Sequence, residues 1–383
     1  MYRFGKEESD AAARVLESRQ LFRYLPDARE ADTFEGALAT RLGVPHAVAT
    51  SSGTAAMISG LAALGVGPGD EVVVPAYGFV ASVLAPLAVG AVPVVCDIDE
   101  SLTMDPADLR RKITPRTRAV LPVHVHGNAS DLDAILAVAR EHDLLVLEDA
   151  CQAIGGTYRG RALGTIGDAG AFSFNQHKIL TAGEGGALVT PSTDVYERGF
   201  MAHDGSANFS RHAFAQPMRA GLAFRMTEVA AAVLNVQLGR LDGILADLRA
   251  LRSRVAEAVE SAAVLTPVPQ HDPDGSCGTN LGYVFADAVT AQRFQAAADG
   301  RNIDAFFGNE YGHSFREWTI VHEGRGGHHP LANPLRDTEW RQDADACARS
   351  EDILSRTVLL RYNFDVTDAE IDKIHQRLAK EFG

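Results

Sequence analysis

Cysteine and cationic residues are the scarce components of this 383-residue chain. Its four cysteines, Cys96, Cys151, Cys277 and Cys347, stand too far apart for a disulfide scaffold or a zinc cluster, and they fit a reducing compartment. Lys and Arg number 36 against 50 Asp and Glu, a formal net charge of −14. The clustered positive charge that holds nucleic acid is therefore missing, and nucleic acid is not expected as a partner. The first residues, MYRFGKEESD, are charged from the start and lack the apolar core of a signal peptide, so a cytoplasmic setting is expected. One stretch, Val72 to Cys96, has no charge and is long enough to span a bilayer. Pro75, Pro86, Gly90 and Pro93 interrupt it, and its two ends read as short strands. It is taken as a buried strand–helix–strand unit of a soluble protein, with no membrane partner.

What the chain does have is a regular alternation. Short β-branched runs, HAVAT (46–50), EVVVP (71–75), VPVVC (92–96), AVLPV (119–123) and LLVLED (144–149), are separated by helical patterns. Strands spaced by helical stretches of this kind make βαβ units and a mostly parallel sheet buried on both faces. AGAFSF (169–174) and GALVT (186–190) read as strands flanking a tight glycine-rich stretch, followed by a helix over 227–239. Beyond about residue 245 the rhythm slows to a long helix, a strand at LGYVFAD (281–287) and a closing helix that Thr367 and Glu370 cap. The expected organisation is an α/β domain over 1–245 and a smaller α+β domain over 246–383.

The densest segment for chemistry is 148–186, EDACQAIGGTYRGRALGTIGDAGAFSFNQHKILTAGEGG. Asp149 closes a strand, and open α/β sheets bind ligands at the carboxyl ends of their strands. Lys178 lies between a second strand and the Gly183–Gly186 turn. There it could serve as a Schiff-base lysine, with the carboxylate as partner of a pyridinium nitrogen. Taken singly, the two residues also read as a surface lysine and a helix-capping acid. SSGTAA (51–56) follows a strand and opens a helix, which suits either a phosphate or a simple N-cap. GVGPGD (65–70) precedes a strand and is a turn. His124 and His126 alternate on an expected strand and so share a face, but no third ligand is spaced to match and no metal is expected. His322, His328 and His329, in VHEGRGGHHP, read as solvated loop residues.

Assembled, these residues resemble the DegT/StrS-type sugar aminotransferases, which are fold type I pyridoxal-phosphate enzymes. FEGALATRLGVPHAVATSSGTAA (34–56), LGVGPGDEVVVPAYGFVAS (64–82), ITPRTRAVLPVHVHG (113–127), the 148–186 block and FRMTEVAAAVLNVQLGRLD (224–242) carry the resemblance. It implies that Lys178 carries pyridoxal 5′-phosphate (PLP) in Schiff-base linkage. Asp149 would pair with the pyridine nitrogen and Gln152 would lie near the phenolic oxygen. Gly53, Thr54 and Ser173 would bind the phosphate, and Phe79 would stack on the ring. It further implies a homodimer with shared sites, and an aminotransferase that passes nitrogen from glutamate or glutamine, through pyridoxamine 5′-phosphate, to a keto sugar, nucleotide-linked sugar or cyclitol.

Two other readings compete with this one. A related sugar dehydratase retains the pyridoxamine form, but in that branch the lysine is typically replaced by His. A non-catalytic sugar- or cofactor-sensing regulator could keep the fold, but the intact lysine, carboxylate and GEGG turn disfavour it. Two positions depart from the family. Ala223, in GLAFRM, stands where an Asn usually reaches the neighbouring subunit's phosphate, and Gly78 stands where Thr is common. Each removes a polar group near the cofactor.

Overall fold

The computed structural model describes residues 4–210, 212–263, 265–336 and 342–383. Helices α1 (Lys6–Ser18) and α2 (Glu30–Leu42) lead into five strands, β1 (His46–Thr50), β2 (Glu71–Pro75), β3 (Val92–Cys96), β4 (Thr117–Val120) and β5 (Leu145–Asp149). Between the strands run α3 (Gly53–Ala63), α4 (Ala81–Ala88), α5 (Pro106–Lys112) and α6 (Leu132–Glu141). A short hairpin, β6 (Thr157–Tyr158) and β7 (Arg161–Ala162), precedes β8 (Ala169–Ser173) and β9 (Gly186–Thr190). Seven of these strands form one sheet in the order β1-β9-β8-β5-β4-β2-β3. Only β9 runs against the others, because a hairpin rather than a helical crossover joins it to β8.

Each strand is a β-branched or alanine-rich run because both sheet faces are covered; every residue of β2 and β9 is buried. Helix α3, GTAAMISGLAA, is apolar almost all round, as a helix enclosed on every side must be. The charge-free stretch 72–96 is β2, α4 and β3, a parallel βαβ unit. Among the described residues no single helix is long and apolar enough to cross a membrane. The free edge at β3 is closed by a side chain: the Gln342 amide accepts from Val95 N–H at 2.6 Å and donates to Val95 O at 2.8 Å. That satisfies a pair of backbone groups that would otherwise invite another strand.

After α7 (Thr193–His203) and α8 (Glu228–Gly239), helix α9 (Leu241–Glu260) carries the chain away from the large sheet. Residue 245 lies inside this unbroken helix. Leu241, Ile244, Leu245 and Leu248 pack with the large-sheet core, whereas Leu251, Val255 and Val259 enter a second core. That core covers an antiparallel sheet, β10 (Thr266–Pro267), β11 (Asn280–Val284), β12 (Ile303–Phe307) and β13 (Thr357–Tyr362), in the order β10-β11-β13-β12. Helices α10 (Ala288–Ala298) and α13 (Asp368–Phe382) pack on it, and Thr367 and Glu370 form the capping box of α13. Between β12 and β13 lie α11 (Thr319–His322) and α12 (Ala348–Ser355); Phe315, Trp318, Val321 and Leu354 from this stretch join the large-sheet core. The C-terminal third therefore reaches back over the large sheet.

Two expectations are corrected. The run 119–123 is not one regular strand, because Pro122 has no N–H to continue the ladder; β4 stops at Val120 and Val123 pairs again as an isolated bridge to Asp149. His124 and His126 consequently do not share a strand face, since His126 sits in a 3-10 turn with left-handed backbone (φ 54°). His322 is not a solvated loop residue either. Its ring is half-buried, with Nε2 2.8 Å from Phe315 O and Nδ1 3.1 Å from Gln342 O, while His328 and His329 are exposed.

His124 belongs to a buried polar centre. Its Nδ1 accepts from Ser130 N–H at 3.2 Å, which leaves the proton on Nε2 to donate to Glu148 at 2.9 Å. The same carboxylate accepts from the backbone N–H groups of Gly164 (2.8 Å), Ile166 (2.5 Å) and Gly167 (2.6 Å). Glu148→Ala would strand three amides and an imidazole in a site with no access to water. We expect a loss of about 3–5 kcal/mol of stability, measured by denaturant unfolding.

Candidate active site

The carboxyl ends of β1, β8 and β5 meet the amino end of antiparallel β9, and four loops converge there. Their closeness depends on missing side chains. A Cβ on Gly53 would lie 2.7 Å from Cys151 Sγ and 2.8 Å from Ser173 Cβ, and one on Gly186 would lie 2.3 Å from the Ser52 carbonyl carbon. The backbone after β1 can therefore reach the ends of β5 and β8 only as glycine. Ser52 caps α3, its hydroxyl accepting from Ala55 N–H at 3.1 Å. The N-cap reading and the anion-site reading thus both apply to SSGTAA. Ser52 satisfies one amide of the first turn, while Gly53 and Thr54, the first two helical residues, have N–H groups that no helical carbonyl can reach. With Ser173 close to Gly53, these free amides stand at the positive end of an 11-residue helix, a geometry that suits an anion.

Alternation along β5 sends Glu148 into the polar centre described above and Asp149 to the opposite face. Asp149 is 4% exposed. Its Oδ2 accepts from the Ser82 hydroxyl at 2.9 Å and its Oδ1 from Cys151 N–H at 3.1 Å. Both bonds fix the direction in which the remaining lone pairs point. Sequence reasoning missed Ser82, which lies in the first turn of α4 and carries no signal of its own. Burial, and next the negative charge of Asp149, hold the Cys151 thiol well above its usual range, so it stays an un-ionised packing group.

Lys178 lies on the connection between β8 and β9. Hydrogen bonds from Phe174 N–H to Gly185 O (2.8 Å) and from Gln176 N–H to Gly183 O (3.0 Å) close this connection into a compact loop. Gly183 adopts a left-handed conformation there (φ 86°). The Lys178 side chain is half-buried and makes no hydrogen bond or ion pair among the described residues. Its positive charge reaches Cys151, His126 and His313. An amine in that position is free to bond covalently to a carbonyl.

Gln152 stands beside the turn after β4, where its Oε1 accepts from His126 N–H at 2.9 Å. This bond leaves the Gln152 NH2 group as its remaining donor. The His126 ring meets the Tyr77 hydroxyl at 2.7 Å through Nε2. Burial, with the positive charges of His313, Arg361 and Lys178, brings His126 down to about 3, and burial also lowers His313. Phe79 is half exposed at the mouth, its ring 6.1 Å from His313. Gly78, beside it, has φ 153°, where a Cβ is strained, so the backbone rather than the site's polarity accounts for the absent threonine. Gly78 N–H donates to His313 O at 2.9 Å, which draws the loop after β12 onto the end of β2. Tyr77, His126 and His313 were all missed as members of the site, since sequence spacing does not relate them to Lys178.

Ala223 is exposed, and the residues that follow it run beside the end of β1, where Ser51 N–H donates to Phe224 O at 2.6 Å and Arg225 bridges Thr50. Ala223 itself bridges Asp204, whose carboxylate takes hydrogen bonds from Tyr24 and Arg225. A cleft beside it is lined by Leu21, Phe22, Arg225 and Thr227.

Known proteins resemble this chain in sequence and in fold. Residues 3–309 match the DegT/DnrJ/EryC1/StrS aminotransferase family model. The chain is 43% identical to GDP-perosamine synthase of Caulobacter vibrioides over 214 residues, 56% of this chain and 57% of that protein. It is 39% identical to the spore coat polysaccharide biosynthesis protein SpsC of Bacillus subtilis over 282 residues, 70% of each. These alignments thus span between just over half and about two-thirds of the relatives' length. Among solved structures, S. venezuelae DesV in complex with a ketimine intermediate superposes with a TM-score of 0.78 at 31% identity, covering 98% of this chain and 94% of that one. Since the family model spans residues 3–309, four-fifths of the sequence, the chain belongs to the DegT/DnrJ/EryC1/StrS aminotransferase family.

Proposed function

We propose that this chain is a PLP-dependent aminotransferase that moves nitrogen from glutamate or glutamine to the ketone of a sugar, nucleotide-linked sugar or cyclitol. The observation that carries the reading is the half-buried, unpaired Lys178 amine beside a buried, hydrogen-bonded carboxylate and the free amides at the start of α3. The residues present fit the cofactor: Gly53, where Cys151 and Ser173 leave no room for a Cβ, brings the bare amides of a helix N-terminus close to Ser173, as a phosphate requires. The names of the relatives, a GDP-perosamine synthase among them, support a sugar as acceptor.

When bound, PLP supplies a carbonyl for covalent capture of an amine and an electron-withdrawing ring. The chain's residues do the rest. The Gly53 and Thr54 amides and the Thr54 and Ser173 hydroxyls hold the phosphate. Asp149, aimed by Ser82 and Cys151 N–H, keeps a proton on the ring nitrogen and so maintains its electron demand. The NH2 of Gln152 donates to the phenolic oxygen. Phe79 covers the ring at the mouth and limits entry of water. The Lys178 Nζ would hold the cofactor at rest; once the donor's amine has taken its place, the freed Nζ would accept the proton from the donor's α-carbon and, in the second half-reaction, deliver a proton to the substrate carbon that receives nitrogen.

A homodimer completes this reading. Leu21, Phe22, Met218 and Leu222 are large apolar side chains left exposed in the single chain, and Leu21 and Phe22 line the cleft beside Ala223. An apolar face around a segment that lacks its polar side chain supports association by burial rather than by one hydrogen bond. The four cysteines are unpaired, which supports a reducing, cytoplasmic setting.

Borohydride treatment of the holoprotein should fix cofactor to the peptide carrying Lys178; attachment to another lysine overturns the site. Asp149→Asn should retain cofactor and lose most turnover in both half-reactions, on the order of a thousandfold or more, since a neutral amide cannot hold the ring proton. Absorbance spectra with L-glutamate and then a panel of keto sugars and keto-cyclitols will read each half-reaction separately. Sedimentation should give a dimer, and Ala223→Asn should tighten PLP binding or leave it unchanged; a fully active monomer contradicts the shared site.

A further inference from the structure

The turn that carries His126 is strained and firmly held. His126 (φ 54°) and Gly127 (φ 76°) are both left-handed, a conformation unfavourable for a side chain as large as histidine. Three contacts from the segment before β11 pin it. Thr279 donates to His126 O at 2.5 Å, Cys277 N–H donates to Gly127 O at 3.0 Å, and the Ser276 hydroxyl donates to Asn128 Oδ1 at 2.8 Å. Backbone strain that is over-determined in this way concentrates at functional sites.

The side chain is as closely specified as the backbone. Tyr77 is 1% exposed, and its hydroxyl meets only His126 Nε2 among the described residues. Burial pushes this phenol up, so it keeps its proton, and a buried hydroxyl needs an acceptor. Tyr77 therefore donates, Nε2 accepts, and the single proton of the uncharged imidazole sits on Nδ1. Nδ1 has no partner among the described residues, yet it is not among the sealed, unsatisfied atoms of the interior. It is an open N–H donor in the electrostatic reach of Lys178, with the His313 ring 6.5 Å from Tyr77 on the other side. An uncharged donor suits a hydroxyl or carbonyl oxygen, whereas a phosphate or carboxylate calls for a cation.

We propose that His126, held by Tyr77 as the Nδ1–H tautomer, recognises a hydroxyl or carbonyl oxygen of the keto acceptor and so helps set acceptor specificity. The proposal rests on the aminotransferase reading for the identity of the acceptor, but not for the tautomer. His126 is a specificity residue and Tyr77 a positioning residue acting through it.

Two measurements test it. In the ¹⁵N-histidine-labelled holoprotein, two-bond proton–nitrogen correlation at neutral pH should show His126 uncharged with its proton on Nδ1. Tyr77→Phe should move that proton toward Nε2. A proton already on Nε2 in the wild type, or a tautomer indifferent to Tyr77→Phe, overturns the proposal, and this readout does not depend on turnover. Steady-state kinetics with L-glutamate and the keto substrate that the spectroscopic panel identifies form the second arm. Tyr77→Phe and His126→Asn, the latter chosen because Asn tolerates left-handed backbone, should raise the acceptor KM about tenfold, with donor KM and PLP affinity unchanged. Equal shifts in donor and acceptor KM, or none, overturn it. Borohydride labelling away from Lys178 would overturn the site assignment while the Nδ1–H tautomer still stood.

Discussion

Glu148 is a carboxylate with no exposed surface, and its two oxygens receive an imidazole N–H and three backbone amides. A carboxylate so far from water persists only when its lone pairs are filled, and the donors come from two separate parts of the chain. His124 arrives from the turn after β4, and Gly164, Ile166 and Gly167 from the loop before β8. The bond network thus ties together the carboxyl end of β4, the end of β5 and the approach to β8. Asp149, the next residue, points the other way because strands alternate. The placement of the polar chemistry on one side of β5 is the consequence of a structural anchor on the other.

From that anchor the active site follows in steps. With His124 held, the next turn closes at His126, whose N–H orients Gln152 and whose ring receives Tyr77. With the approach to β8 held, Ser173 and the Lys178 loop lie against the start of α3, where Gly53 and Gly186 permit backbone-to-backbone contact. Most of these groups sit on or beside strand ends, which is where a parallel sheet offers its ligand crevice. The C-terminal third adds the outer wall: Thr279 holds the His126 turn, and the loop with His313 is drawn onto Gly78.

The departures from the family pattern take on different meanings in this frame. Gly78 is required by its own backbone, so its lack of a hydroxyl is a matter of conformation. Ala223 has no such reason in its own chain. It lies exposed beside a cleft lined by Leu21 and Phe22, with Phe224 and Arg225 next to it bonded to the end of β1.

Much of the scaffold was legible in the residues. β-Branched runs marked β1, β2, β3, β5 and β9, Asp149 and Lys178 could be singled out at strand-end and glycine-turn positions, and Thr367 and Glu370 announced the last helix. These signals are local, so periodicity, capping chemistry and glycine turns suffice to read them. Tertiary structure decided what depends on distant segments. Pro122 broke the expected strand and turned His124 and His126 to different partners, a change that matters only because Glu148 and Tyr77 wait on separate elements. Ser82 serves Asp149 from 67 positions away in the chain. His313 joins the site because a loop after β12 folds over β2. Helix α9 runs through the expected domain boundary, since its two ends are buried in different cores. Hydrophobic patterning told which faces are buried, but not which buried polar group finds which partner, because that choice is made by the packing of elements far apart in sequence.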